Sequence, residues 1–520
     1  MPGGWLSPRG RLLSRVGLGV LSFVVPPGLV DEAVGDGLAW EMRLRSLPAR
    51  LAVYFTLGLC LFSGEAYGQV MRSMAAGLEA ALGAAGWAFP SSTALTMARR
   101  RVGEKPLESV FRRLCSPLSP GTAPWSHLGG LLVTAWDGTS LAVPDSPANA
   151  AAFGRPGAGK RHPAAREREP GAQFPQARLI ALVACGTRAL LGAAAGPVRG
   201  KGSGETALAR GLLACLRPGM LLLADKGFYS YRLWTAAAGT GADLLWRVKD
   251  DARLPAALVL PDCSWLARVT DPAAAGARQR KNRKRAARGG ALPPEDGPLP
   301  AVTVRVIEFL VTVTAADGPA RTERYRLVTT LLDHRAFPAP ALAACYARRW
   351  ACETAFAELK TWLRGPGRVL RSRTPDLARQ EIWALLAVYQ AIRVIAARAA
   401  AGAGLDPGRV SFTAALRACR RAVTARAGLA ALEAEITDPR ALVPSRPGRT
   451  SVRAVKQPRS GFPRKRAPAG TPTSGHAEYA IAITSPDQPR QPNNQPPSPL
   501  LSCWHFAPCA RKGVALGRRR

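Results

Sequence analysis

The chain has 520 residues, with 72 Lys and Arg against 35 Asp and Glu and a formal net charge of +37. At about 150 residues per domain, this length excludes a single small domain and predicts several folded units. The cationic surplus runs along the whole chain, so it is not merely a basic tail, and it indicates nucleic acid as the partner, because neutralised phosphates release condensed counterions.

The cysteines and apolar segments predict a cytoplasmic protein without a membrane span. Ten Cys are scattered with no C-x-x-C pair and only five His accompany them, so neither a zinc site nor a disulfide framework is indicated. Residues 51–62 are apolar but shorter than the roughly 20 residues that span a bilayer, which favours a buried helix. Residues 9–25 imitate a secretory signal, but Pro26 and Pro27 follow instead of a small-residue cleavage site.

The N-terminal part, up to about residue 120, is predicted to be helical. Its helices are expected around 51–62, 67–84 and 91–114. In the last stretch Ser91 or Ser92 can cap a helix, Gly103 breaks it and Pro106 suits a first helical turn. Three arginines at 99–101 lie between the two halves, an arrangement that resembles a helix-turn-helix motif; an ordinary helical pair with a basic exposed face fits equally well.

From residue 130 the pattern becomes α/β. The segments expected as strands are GLLVTAWD (130–137), ARLIALVACGT (177–187), ALLGAAAGP (189–197), MLLLAD (220–225) and DLLWRVK (243–249). A helix at 205–216 lies between the third and fourth strands, and another helix between the fourth and fifth. The predicted order is therefore strand, strand, strand, helix, strand, helix, strand.

The second half of the chain departs from this pattern. Residues 251–337 alternate in the manner of antiparallel strands and contain the run RQRKNRKRAAR at 278–288, interpreted as a basic loop within a mainly β insertion. Long helices are expected at 339–400 and 411–424. Beyond about 440 the chain is rich in Pro, Arg, Ser and Gln, which predicts a disordered basic tail.

Two aspartates follow apolar strands. Asp137 lies in TAWDGTSL and Asp225 in LLLADKGFYSYRLW. Either one alone is most often an ordinary turn residue. If the two strands are parallel neighbours, however, the two carboxylates come together, and like charges that close are costly unless a cation lies between them. The pair therefore predicts a magnesium site.

A third motif, YARRWACETAFAELK at 346–360, carries the most specific pattern. At about 100° per residue, Tyr346, Arg349, Glu353 and Lys360 fall within roughly 60° on one helical face. One carboxylate among an aromatic ring and two cations suits a metal ligand flanked by groups that bind phosphates and a base or sugar. Glu358 points well away from Glu353 and is the poorer candidate.

These features together resemble the DDE transposases of bacterial insertion sequences, specifically the insertion-sequence-four family. The family signature Y-x2-R-x3-E-x6-K is matched at every defined position, and DGTSL, ADKGFYSYRLW, the strand order and the β insertion agree with it. The resemblance covers roughly residues 15–425.

The resemblance implies a ribonuclease-H-like catalytic core interrupted by a mainly β insertion, preceded by a helical N-terminal DNA-binding domain. The expected domains are 1–125 (N-terminal), 126–250 (first part of the core), 251–337 (insertion), 338–435 (C-terminal helices of the core) and 436–520 (tail). Cut-and-paste transposition by a synaptic homodimer is implied, acting on the inverted-repeat ends of the element and on target DNA. The protein would then be cytoplasmic and nucleoid-associated.

For the site, the resemblance implies two Mg²⁺ or Mn²⁺ ions held by Asp137, Asp225 and Glu353, which make a nucleophile and stabilise the leaving oxygen. Arg349 and Lys360 would then bind phosphates and Tyr346 would position a strand. Members of the family that flip a base stack it on an aromatic residue of the insertion, and for that role this chain offers only Tyr325 or Trp246.

Three other interpretations compete with an active transposase. One is a nuclease on the same core, another an inactive transposase remnant that only binds DNA, and the third a nonspecific basic protein of the nucleoid or membrane surface. Residues 154–161, GRPGAGKR, match part of a phosphate-binding loop, but Arg161 replaces the Ser or Thr that would bind magnesium and no buried strand precedes the motif, so ATP binding is not expected.

Overall fold

A computed structural model describes residues 12–13, 16–36, 47–119, 123–156, 174–200, 202–287, 297–315, 321–425, 427–444 and 477–486. The α-helices in these ranges are α1 Leu21–Val24, α2 Pro27–Asp36, α3 Ala49–Leu61, α4 Tyr67–Ala75, α5 Glu79–Ala84, α6 Ser92–Val102, α7 Lys105–Leu114, α8 Pro147–Phe153, α9 Glu205–Arg210, α10 Tyr231–Ala238, α11 Pro272–Ala286, α12 Ala339–Tyr346, α13 Trp350–Ala357, α14 Pro375–Gly402, α15 Phe412–Ala425 and α16 Leu429–Thr437.

The strands are β1 His127–Leu128, β2 Leu131–Ala142, β3 Gln176–Ala184, β4 Leu190–Pro197, β5 Met220–Ala224, β6 Asp243–Arg247, β7 Leu258–Val259, β8 Trp265–Thr270, β9 Ala301–Ala315, β10 Arg321–Thr329 and β11 Ala477–Thr484. The first part of the sheet has the order β4-β3-β2-β5-β6, in which β2, β5 and β6 pair in parallel, while β3 pairs antiparallel with both β2 and β4. The predicted succession of strands and helices is confirmed.

Both faces of this sheet are covered, which is why its strands read as continuous apolar runs. On β5, Leu221 and Leu223 belong to one hydrophobic cluster while Leu222 and Ala224 belong to another. The second cluster contains Trp136, whose ring lies 5.5 Å from that of Trp246. Strand alternation therefore separates two cores, one on each side of the sheet.

The N-terminal helices pack on the first of these clusters, together with the long helix α14. Every residue of α3 is buried, so the predicted buried helix at 51–62 is confirmed. Helix α14 is the one described helix that is long and apolar enough to cross a membrane, and 89% of its apolar window is buried inside the protein, as expected of a core helix.

The paired helices α6 and α7 follow the sequence signals, but one of their arginines has a structural role. Ser91 accepts a hydrogen bond from the Ala94 N–H and Gly103 has a φ of 73°, as a cap and a break require. Arg99 is 1% exposed and its guanidinium donates to the side chain of Gln380 on α14 at 2.9 Å. Its expected place on a basic DNA-facing surface is therefore wrong, since it joins α6 to the core.

The insertion is mainly β, as predicted, and it extends the catalytic sheet. Strand β10 pairs with β6 antiparallel, and the order continues β6-β10-β9-β8-β7. The basic run expected to be a loop is helical as far as residue 286, within α11. Asp271 caps this helix by accepting from the Ala273 N–H at 2.8 Å, Pro272 occupies its first turn, and Ala, Arg, Lys and Gln are good helix formers.

The region expected to be a disordered tail contributes one strand. Strand β11 pairs antiparallel with β9, from Ala477 opposite Ala315 to Thr484 opposite Glu308. Ile481 and Ile483 lie two residues apart, hence on one face, and pack against the first hydrophobic cluster. The prediction is wrong for residues 477–484 because it weighed composition and not this short alternating pattern; residues 445–476 and 487–520 lie outside the described part.

Candidate active site

The two aspartates lie at one edge of the parallel strands. Ala135 of β2 is opposite Leu223 of β5, so Asp137 and Asp225 occupy equivalent positions two residues further on. Asp225 directly follows β5, as predicted. Asp137 does not follow a strand, because β2 continues to Ala142 by pairing with β3 alone. The two carboxylates are nevertheless adjacent, since both strands run in the same direction.

Helix α13 and the residues after it bring the third carboxylate to the same place. Asp137, Asp225, Glu353, Arg349 and Lys360 line one open cleft of about 540 Å³. Five of the six residues expected at the site thus surround a common space. Gly138, Thr139, Phe356, Ala357 and Thr361 complete the lining.

Arg349 bridges two of the carboxylates. Its Nη1 donates to Asp137 Oδ2 at 3.0 Å, and its Nη2 lies 3.5 Å from Glu353 Oε1. The side chain is only 11% exposed, and its Nε is buried with no hydrogen-bond partner among the described residues. The adjacent acidic groups raise the pKa of Arg349 although burial opposes this. The guanidinium therefore stays charged between the two acids.

Burial makes the ionised carboxylates costly. It raises the pKa of Glu353 to about 7, while Arg349 opposes the rise and the charges of Asp137 and Asp225 add to it. Burial likewise raises the pKa of Asp137 against the effect of Arg349. Partly buried acids that lie this close together favour a cation among them.

Lys360 contacts the rim of the cleft. Its Nζ donates to Thr139 Oγ1 at 2.9 Å, which links the helical segment to β2 just beyond Asp137. Thr139 was not singled out from the sequence. The DGT triplet could have indicated its place beside Asp137, because in an extended strand residues 137 and 139 point to the same side.

Tyr346 is placed differently from the other signature residues. It is buried, and its hydroxyl donates to the carbonyl oxygen of Ala224 at 3.2 Å. The predicted single helical face is interrupted, because Ala347–Arg349 form a 3₁₀ turn and Glu358–Leu363 a π-helical turn. Tyr346 therefore supports the backbone next to Asp225 from within the wall, and the expected direct contact with DNA does not fit this position.

Neither residue considered for base stacking presents a free ring. Trp246 is fully buried between Trp136 and Trp234. Tyr325 is half-buried and stacks on Phe309 at 5.4 Å, with the Arg247 guanidinium 4.1 Å from its ring centre. The expectation is wrong for Trp246, and the ring of Tyr325 is already packed against two neighbours.

Glu358 lies in the core and not in the cleft, which agrees with its ranking below Glu353. It is 2% exposed and forms ion pairs with Arg393 and, at 3.1 Å, with Arg188. The Tyr389 hydroxyl donates to it at 2.9 Å. Glu358 is therefore a structural acid with three partners.

The cleft suits a divalent cation in the chemistry of its ligands, although they are not yet arranged around one position. Carboxylate oxygens are the ligands that Mg²⁺ and Mn²⁺ prefer, and three acids line the cleft. Within the described ranges, no three acidic, His or Cys side chains are close enough to hold an ion as they stand. Arg349 occupies the place between Asp137 and Glu353 that a cation would share.

Comparison with known proteins agrees with this architecture. Residues 15–112 match the family model described as "Insertion element 4 transposase N-terminal", and residues 129–391 match the "Transposase DDE domain". The chain is 25% identical over 375 residues to the transposase InsG for insertion sequence element IS4 of Escherichia coli K12, which covers 71% of this chain and 74% of that protein.

A solved structure also aligns with the chain. It is the piggyBac transposase synaptic complex with hairpin DNA, at 9% sequence identity and a TM-score of 0.38, covering 82% of each chain.

Proposed function

The chain belongs to the DDE transposases of the insertion-sequence-four family, and from that premise we propose that Asp137, Asp225 and Glu353 are its catalytic residues. As a member, it is an enzyme that cleaves DNA in cut-and-paste transposition of an insertion sequence and depends on a divalent metal ion. The alternatives of a simple nuclease or a DNA-binding remnant are not favoured. The observation that carries the proposal is that three carboxylates, one on β2, one directly after β5 and one on α13, line one cleft.

We propose that the three carboxylates hold two Mg²⁺ or Mn²⁺ ions. When bound, such ions lower the pKa of water or of a DNA 3′-hydroxyl and stabilise the leaving oxygen. The chain prepares their site by placing two acids on adjacent parallel strands and a third on the facing helix. The burial that raises the pKa of Glu353 is then offset by the positive charge of the ion.

The two cations of the signature would act on the DNA backbone. Arg349 pairs with Asp137 and Glu353 in the absence of ions, and its buried Nε–H keeps one donor unused. Once the acids bind an ion, the guanidinium can turn its fork to a phosphate, the geometry it matches best. Lys360, held at the rim by Thr139, supplies a second positive charge beside the phosphate. Tyr346 is a positioning residue behind Asp225.

The wider assembly follows from the same chemistry. Two ends of an element must be cut and joined together, so we propose that a homodimer brings the two inverted-repeat ends into one synaptic complex and that the N-terminal helices help bind them. Such a protein would work in the cytoplasm, close to the nucleoid. Sedimentation of the protein with duplex ends would show two copies per pair of ends.

The test is cleavage by the purified full-length protein. The substrate is duplex DNA that carries the sequences flanking the gene, incubated with Mg²⁺, with EDTA, or with Mg²⁺ and a scrambled duplex. We expect strand cleavage and joining only with Mg²⁺ and the flanking sequences. Cleavage without joining would indicate a nuclease, and binding without cleavage an inactive remnant.

A further inference from the structure

Helix α11, Pro272–Ala286, is the most basic described segment of the insertion. Six of its 15 residues are cations and none is acidic. They are Arg278, Arg280, Lys281, Arg283, Lys284 and Arg285. The proposed chemistry of the cleft does not use this helix.

No hydrophobic core holds the helix in place. None of its residues is buried, and its sequence has no large apolar side chain that could form a stripe packed on the sheet. It is held at its start, where Asp271 caps it and the Asp271 N–H donates to the Pro300 carbonyl at 2.8 Å, and at its middle, where Arg278 Nη1 donates to the Gly297 carbonyl at 3.3 Å. The helix is thus presented to solvent by the loop between β8 and β9.

The charges are arranged unfavourably for the isolated helix. Arg280 and Lys284, like Lys281 and Arg285, lie four residues apart on the same face, where like charges cost about 0.2–0.5 kcal/mol per pair. A helix of about 15 residues is already marginal in water without tertiary packing. A polyanion would remove this repulsion, so the sequence of α11 is better suited to a bound than to a free state.

The cations cover more than half of the helix circumference. At about 100° per residue the six side chains span roughly 220°, which leaves only a narrow stripe with Ala275, Gln279 and Asn282. A flat membrane surface meets one side of a helix and requires apolar residues there. The B-DNA major groove, about 12 Å wide, has a phosphate wall on each side and admits a helix of about 10–12 Å diameter.

We propose that α11 docks in a groove of duplex DNA and neutralises the phosphates on its walls. The proposal rests on the transposase function in that DNA is the substrate. It adds a contact surface outside the cleft: β8 lies four strands from β5, about 19 Å across the sheet at about 4.8 Å per strand, and α11 follows the end of β8 at the sheet edge opposite Asp225.

The contact would be independent of base sequence. Arg and Lys at phosphates fix position, whereas base edges carry specificity. Since each neutralised phosphate contributes about 0.9 to the slope of log K against log salt, α11 should account for a measurable share of the steep salt dependence expected of a chain with a net charge of +37.

The test compares two triple variants of the full-length protein that each remove three positive charges. The α11 variant is Arg280→Gln, Arg283→Gln, Lys284→Gln, which keeps good helix formers. The control changes three exposed arginines outside α11, the cleft and the N-terminal helices, Arg217→Gln, Arg417→Gln and Arg440→Gln. Binding to a flanking-sequence duplex and to a scrambled duplex is measured by fluorescence anisotropy over a series of NaCl concentrations.

We expect the salt slope of the α11 variant to fall by about 2–3 on both duplexes, and that of the control to change by less than about 1. An unchanged slope, an equal change in the control, or an effect confined to the flanking duplex would overturn the proposal. Cleavage of saturating DNA with Mg²⁺ is measured in parallel and should match the wild type. Wild-type protein that binds DNA but does not cleave it would contradict the proposed function and leave this test intact.

Discussion

Two glutamates of one helical segment, five residues apart, lie in opposite environments. Glu353 faces the cleft, where burial raises its pKa to about 7 and one arginine at 3.5 Å opposes the rise only in part. Glu358 lies in the core, where Arg188, Arg393 and Tyr389 all contact its carboxylate. The partners in the core compensate the charge of Glu358 completely. In the cleft, Arg349 compensates the charge of Glu353 only in part, and an added cation would complete the compensation.

The two environments distinguish a structural acid from a functional one. A structural acid has its partners supplied by the fold, and removing it leaves those partners buried and unpaired. Keeping a functional acid ionised and partly buried lowers the stability of the unliganded protein. The ligand that the site binds offsets this loss. Changing each residue to Gln should therefore affect different properties: cleavage activity for Glu353 and stability for Glu358.

The largest effect is expected for Glu353→Gln. Gln keeps the size and the hydrogen bonding but lacks the charge that a divalent ion requires. Loss of this ligand costs several kcal/mol of transition-state stabilisation, so cleavage and strand transfer should fall at least about a thousandfold while DNA binding persists. Single-turnover cleavage with Mg²⁺ measures this, with the exposed Glu79→Gln as control; near wild-type cleavage would place Glu353 outside the site.

The corresponding change in the core, Glu358→Gln, should act on stability. Two arginines would lose their anionic partner in a buried position, which typically costs about 3–5 kcal/mol. Urea unfolding should show a markedly lower midpoint than that of Glu79→Gln. A variant as stable as the wild type but without cleavage activity would reverse the roles assigned to the two glutamates.

A smaller effect is expected for Arg349→Lys. Lysine keeps the positive charge but cannot reach Asp137 and Glu353 at the same time, nor bind a phosphate with two parallel hydrogen bonds. Loss of one charged hydrogen bond, about 1.5–3 kcal/mol, predicts a cleavage rate about 10- to 100-fold lower. Arg440→Lys on the surface is the control, and an unchanged rate in Arg349→Lys would argue against a role for the guanidinium fork.

The smallest effect concerns pH in the absence of metal. Because the pKa of Glu353 is raised to about 7 in the folded protein, the folded state binds more protons than the unfolded state between the ordinary pKa of Glu and about 7. Stability should therefore fall as pH rises through this window. Solvent screening reduces the effect of this partly exposed group to ~1 kcal/mol, or a few degrees in Tm.

Glu353→Gln removes this titration, so in EDTA the variant should melt a few degrees above the wild type at pH 8 and together with it near pH 4. Calorimetry at the two pH values makes the comparison. A variant that melts below the wild type at pH 8 would mean that the pair with Arg349 stabilises the fold more than burial of the charge destabilises it.

Local patterns were enough to predict much of the sheet and the acidic residues, and the failures have physical causes. Asp137 and Asp225 could be paired because apolar runs mark parallel buried strands, and their register then follows. Tyr346 was misplaced because helical spacing predicts the direction of a side chain but not what covers it, and here β5 covers the ring, whose hydroxyl donates to the Ala224 carbonyl.

Long-range contacts were beyond the reach of local patterns. The burial of Arg99 depends on Gln380, 281 residues away in sequence, and β11 depends on an open edge of β9. The helix α11 could have been predicted, since the cap at Asp271 and Pro272 are visible in the sequence, but the density of positive charge suggested a loop.

The most direct test of the central claim locates the ions. Crystals of the protein with duplex DNA that carries the flanking sequences, soaked in Mn²⁺, allow manganese to be found by its anomalous scattering. We expect manganese between Asp137, Asp225 and Glu353, at about 2.0–2.2 Å from their oxygens, with Arg349 turned from the acids to a phosphate. Manganese bound elsewhere, with Arg349 still bridging Asp137 and Glu353, would contradict the account.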